Sequence, residues 1–125
     1  MNAVFLGLIS LFFISSLCSK ENIDYRSFSS ISELIEYESS CILNGSVDFP
    51  EELSESYASR GESFVLKGLL WEALSDFQSS YIYGRQSKDL AIANQLIFRA
   101  LFGQALVYGY LDELEVVESI AEVLL

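Results

Sequence analysis

The chain lacks histidine altogether and has a single proline and two cysteines among its 125 residues. Without histidine there is no Ser-His-Asp triad and no imidazole metal ligand. Two cysteines, Cys18 and Cys41, cannot build a four-cysteine zinc site, and if Cys18 leaves with a leader, Cys41 has no partner within the chain. A lone cysteine on an apolar helix face reads as core. Bases are scarce as well: 7 Lys and Arg stand against 18 Asp and Glu, for a net charge of −11. Nucleic acids and anionic membrane surfaces both require a basic footprint, so this balance excludes them as partners and reads as a solubility feature. Alternating apolar/polar runs of strand length are missing too. With so little proline, helices are left to carry the fold.

The first feature present is an uncharged apolar run, AVFLGLISLFFISSLC, from Ala3 to Cys18. It is shorter than the roughly 20 residues of a spanning helix and suits the core of an export signal. Ser16 and Cys18 supply small side chains for cleavage after Cys18 or Ser19. No Lys or Arg precedes the run, which keeps an uncleaved anchor over residues 3–18 as the alternative. Leu17 just before Cys18 argues against lipidation. The expected organisation is a leader or anchor over 1–19, a polar tether over 20–29 and a helical domain over 30–125. The chain is thereby exported, or held at a membrane through its N-terminal segment alone.

Helical spacing recurs through the rest. Ser30 and Glu33 have capping-box spacing, Ile31, Leu34, Ile35 and Ile42 follow, and Asn44-Gly45 closes the first helix. Asp48 is read as the cap of the second, with Pro50 in its first turn and Gly68 ending it after Lys67. A third covers Leu69 to Tyr83, with Leu70, Ala73, Leu74, Phe77 and Tyr81 as its stripe. The fourth, Lys88 to Tyr108, is apolar on most of its circumference. Arg99 in its middle would cost about 2.5 kcal/mol or more in a bilayer, so it reads as a helix buried among others. Gly109 is expected to break it, and Asp112 with Glu115 to cap the fifth.

The second and third helices carry an ordered set of residues: Tyr57, Arg60-Gly61, Phe64, Gly68, then Ala73 and Phe77. This order resembles the tetratricopeptide repeat, a helical hairpin with an aromatic, a Gly and an aromatic followed by an Ala and a Phe. The resemblance runs from Tyr57 to Tyr83. Arg60 stands where that family usually has Leu, and Arg85 where it has its closing Pro. A degenerate echo spans Leu96 to Leu125, with Phe102-Gly103, Leu106 and Gly109, but Leu114, Glu115, Glu118 and Ser119 replace its Ala/Phe half. The resemblance implies an all-α fold, a short stack of antiparallel hairpins with about five helices after the leader. Gly61 and Ala73 would sit where the helices approach most closely.

It also implies a groove that binds a peptide or protein. Facing it would be Ala58, Ser59, Glu62, Val65 and Leu66 of the second helix, and Ala100, Leu101, Gln104, Val107 and Tyr108 of the fourth. Val65, Leu66, Leu101, Val107 and Tyr108 are the candidate anchors. On the last helix, Leu114, Val117, Ala121 and Leu124 would pack inward, leaving Val116, Ile120 and Val123 for a partner. The expected function is a non-catalytic interaction module without cofactor. The alternative is an assembly subunit that self-associates through its last helix. The phosphate-loop order fails at Lys67-Gly68, and the paired acids sit at helix starts, where capping accounts for them. Asn44-Gly45-Ser46 is an N-glycosylation sequon that matters only in a eukaryotic secretory pathway.

Overall fold

The computed structural model describes residues 28–125, and readings of the leader and of the tether before Phe28 lie outside them. Among the described residues the fold is all-α, with five helices and no strand. They are α1 (Ile31–Leu43), α2 (Pro50–Lys67), α3 (Leu70–Gly84), α4 (Leu90–Tyr110) and α5 (Leu114–Leu124). Each packs on the next, and α2 also touches α4, as expected of a short stack of hairpins.

Local chemistry sets most of the boundaries. Ser30 caps α1 by accepting from Glu33 N at 3.1 Å. The reciprocal half of the expected box shifts by one residue: Glu33 Oε2 accepts from Ser29 N at 2.9 Å and from the Ser29 hydroxyl. These bonds hold the Glu33 carboxyl below its ordinary value. Phe28, assigned to the tether, instead rests on Tyr37, with ring centroids 5.4 Å apart. Gly68 ends α2 in the left-handed region (φ 83°), a conformation costly for any residue with a Cβ.

Two expected caps are not used. Phe49, not Asp48, is the N-cap of α2, because the chain turns at Ser46–Phe49 (Phe49 N to Ser46 O, 3.0 Å) and leaves Asp48 one residue early. Gly109 does not end α4 either. The helix continues through Tyr110, and the reversal falls on Asp112, a non-glycine residue at φ 64°. Aspartate is among the few side chains that tolerate this region. Asp112 therefore makes the turn and does not cap α5, whose N-cap is Glu113 without a side-chain bond.

The centre of the core is the Phe77 ring, fully buried between α2 and α4. A methyl group at Gly61 would stand 3.0–3.2 Å from this ring, and one at Gly103 would overlap it. Both glycines act through the space they leave. The atoms nearest a side chain at Gly61 are those of Phe77. Ala73 is itself fully buried, in a cluster with Leu74, Phe77, Phe102, Leu106 and Val107. Tyr57 and Tyr83 stack at 5.7 Å and tie the start of α2 to the end of α3.

Helix α4, 21 residues with an 18-residue stretch of mean hydropathy 1.4, is long and apolar enough by composition to cross a membrane, and half of that stretch is buried inside the fold. Arg99 lies in its middle, buried and paired.

Candidate functional site

Polar side chains in the interior set the register of the helices. Arg99 of α4 reaches Glu62 of α2 through Nε (3.1 Å to Oε2) and Nη2 (to Oε1), and Nη2 also donates to Ser59 Oγ at 3.2 Å. Arg60 makes a two-pronged bond to Asp76 of α3, both prongs 2.7 Å, and donates to Ser39 of α1 at 3.3 Å. Its guanidinium lies over Tyr57 and Phe64, each ring centroid 5.6 Å away. Burial pushes the Asp76 carboxyl above its ordinary range, with the Arg60 fork opposing that rise. Ser54 and Ser80 exchange bonds to each other's carbonyls (2.7 and 2.8 Å), and Ser63 donates to the buried Glu38 of α1 at 2.6 Å.

These pairs change the groove inferred from the sequence. Glu62 does not face a ligand; it is spent on Arg99. Ala58, Ser59 and Ala100 are buried with it. Val107, a candidate anchor, has no exposed surface, because it packs in the Phe77 cluster. Of the other anchors, Leu66 is exposed, and Val65, Leu101 and Tyr108 are half-buried. On α5, Val116 and Ile120 are half-buried and Val123 is exposed, so the expected bare stripe is only partly bare. Leu114, expected to pack inward, is instead 48% exposed, and Val117 is the buried residue of this helix.

An open cleft of about 310 Å³ lies at one end of the stack, lined by Val65, Leu66, Lys67, Gly68, Leu70 and Tyr110. It forms because Gly68 turns the chain without a side chain while α4 runs far enough to bring Tyr110 alongside. The volume is at the lower bound of ordinary ligand pockets. Val65 and Leu66 were expected at a binding surface. Leu70 and Tyr110 were not: Leu70 had been given to the core stripe of α3, and Tyr110 lay past the assumed helix end at Gly109. The apolar alternation Leu106, Val107, Tyr108, Tyr110, Leu111 across that glycine was the available signal. Lys67 lines the cleft through its stem, since its ammonium donates to Ser32 Oγ of α1 at 2.7 Å.

No group of three or more potential metal-ligating side chains occurs among the described residues. Comparison with protein-family models, with curated proteins and with solved structures finds no match.

Proposed function

We propose that this chain is a non-catalytic interaction module, exported or tethered by its N-terminal segment, that binds a peptide or protein segment in the cleft at the α2–α3 turn. The observation that carries this reading is the cleft itself. Aliphatic side chains of α2 and α3 and one aromatic ring of α4 converge there, and Leu66 and Tyr110 stay about half exposed. Apolar residues converging on an open concavity are how small anchors are received at interfaces. The hairpin resemblance agrees with it, as does a sequence without histidine for a Ser-His-Asp triad or an imidazole zinc ligand.

Selection from a displayed peptide library tests the reading. Peptides recovered on the parent chain should lose about tenfold in affinity on the Leu66→Ser/Tyr110→Ser variant, the loss expected when roughly 1.4 kcal/mol of apolar contact is removed. Both positions are exposed enough for the fold to survive, which circular dichroism would verify. Peptides that bind parent and variant alike would place recognition elsewhere and sink the proposal.

A further inference from the structure

The helices alternate in direction through short turns, so one end of the stack gathers the N-termini of α1, α3 and α5 with the C-termini of α2 and α4. The Lys67–Ser32 bond places the start of α1 at this end, and the cleft places Tyr110 there. The exposed carboxylates that accompany these termini are Glu33, Glu36, Glu72, Asp112, Glu113 and Glu115. Lys67 is the base among them. Three helix N-termini against two C-termini contribute a partial charge on the order of +0.5 in total. Six carboxylates and one lysine contribute a formal −5, so the cleft opens into a strongly negative field.

The other described residues do not offset it. Among the described residues the bases are Arg60, Lys67, Arg85, Lys88 and Arg99. Arg60 and Arg99 are consumed by Asp76 and Glu62. Arg85 and Lys88 stand at the opposite end, beside α3's last turn and α4's cap. From Leu90 to Leu125 Arg99 is the sole base, and it is buried.

From this juxtaposition of an apolar cleft and a one-signed rim we infer that the occupant is a basic amphipathic segment of another protein, with apolar anchors for Val65, Leu66, Leu70 and Tyr110 and flanking Lys or Arg for the carboxylates. The inference rests on the interaction-module reading and adds the chemistry of the partner. A second copy of the chain is disfavoured by the same charges. A two-fold contact sets a patch against itself, here carboxylates against carboxylates. A head-to-tail contact meets an opposite end where Asp48, Glu52 and Asp89 outnumber Arg85 and Lys88. Field complementarity of this kind acts chiefly on association rate and partner choice, so the preference should weaken with salt.

The test uses the full chain and two labelled synthetic peptides of equal length with identical Leu and Trp positions, one with Lys at every polar position and one with Glu. Fluorescence anisotropy reads binding. The Lys peptide should bind at least about tenfold tighter than the Glu peptide, and this ratio should shrink as sodium chloride is raised. Its affinity should fall with Leu66→Ser and, separately, with Glu72→Gln/Glu113→Gln. Equal affinities for the two peptides, both lowered by Leu66→Ser, would overturn the basic-partner inference while leaving the apolar cleft as a binding site. Lys-peptide binding that Leu66→Ser does not touch would be diffuse charge attraction and would overturn both. No binding by the Lys peptide overturns the inference. So does a dimer, seen by sedimentation, that Leu66→Ser dissociates, because the occupant would then be a second copy.

Discussion

Helices α2, α3 and α4 close around one buried ring and two ion pairs, whereas α1 and α5 each bury a single side chain, Glu38 and Val117. The inner helices meet on glycines, so their backbones approach closely and Phe77 is packed on both sides. The outer helices lie on that unit with mostly half-exposed contacts. Helix α1 is tied to α2 by three polar bonds, Ser63 to Glu38, Arg60 to Ser39 and Lys67 to Ser32, beside half-buried Leu34, Ile35, Cys41 and Ile42. The contrast teaches that similar amphipathic helices in one small protein can differ widely in local stability. Close packing over a large ring resists opening, and edge helices with few buried groups open first.

Phe77→Ala should do the most damage, removing about 3–5 kcal/mol and leaving a void between Gly61 and Gly103 that the neighbours cannot fill. Against a total of roughly 5–15 kcal/mol for a small domain, this is a large share of the stability, and the unfolding midpoint should fall sharply. Denaturant unfolding followed by circular dichroism measures it, and a loss below about 1 kcal/mol would show that the wedge does not hold the inner helices.

Arg99→Met comes next, at about 3 kcal/mol, because Glu62 is left as a buried carboxylate without its guanidinium. Adding Glu62→Leu should restore most of the loss, since the cost lies in the orphaned charge. If the double variant were as unstable as the single one, the pair would be contributing attraction beyond its desolvation cost.

Val117→Ala should cost about 1–2 kcal/mol and act locally. Amide exchange of α5 should quicken while that of α3 stays slow. Equal acceleration in both would mean that α5 belongs to the same cooperative unit and the contrast fails.

The smallest effect concerns the start of α1. The Glu33 carboxyl is held below its ordinary 4.5 by the Ser29 hydrogen bonds, so the folded state favours the ionised form. The resulting stabilisation is complete above the ordinary value and is lost as pH falls through the lower, folded one. Protection from exchange at the α1 N-terminus, taken relative to the intrinsic rate at each pH, should therefore fall on acidification, and Glu33→Gln should flatten that dependence without touching α3.

Much of the fold was legible along the chain because its signals are local. Ser30, Pro50 and Gly68 each act within a turn of where they stand, and each marks a real helix end. The misreadings have local causes of their own. Asp48 and Asp112 were taken as caps by residue type, but a cap also needs the right backbone position, and the Ser46–Phe49 turn and the left-handed Asp112 put them elsewhere. Gly109 was taken as a stop, yet one glycine costs a helix only about 1 kcal/mol. The apolar residues on either side of it, Leu106 and Val107 in the core and Tyr108 and Leu111 packed against it, outweigh that cost. The candidate site was half visible: Val65 and Leu66 stand in it, while Val107 is lost to the core and Tyr110 is gained from beyond the assumed end.

The sequence by itself determined the class, the number of helices and the acidity of the surface, because periodicity, turn residues and formal charge are properties of the chain read in order. Tertiary structure alone decided that Gly61 and Gly103 flank one ring, that Arg99 and Glu62 neutralise each other, and that Tyr110 stands beside Leu66. Each of these joins residues dozens of positions apart, and no local rule specifies which faces of two helices meet. That choice follows from how all five helices together exclude water and pair their buried charges, and it leaves carboxylates in excess around the cleft among the described residues.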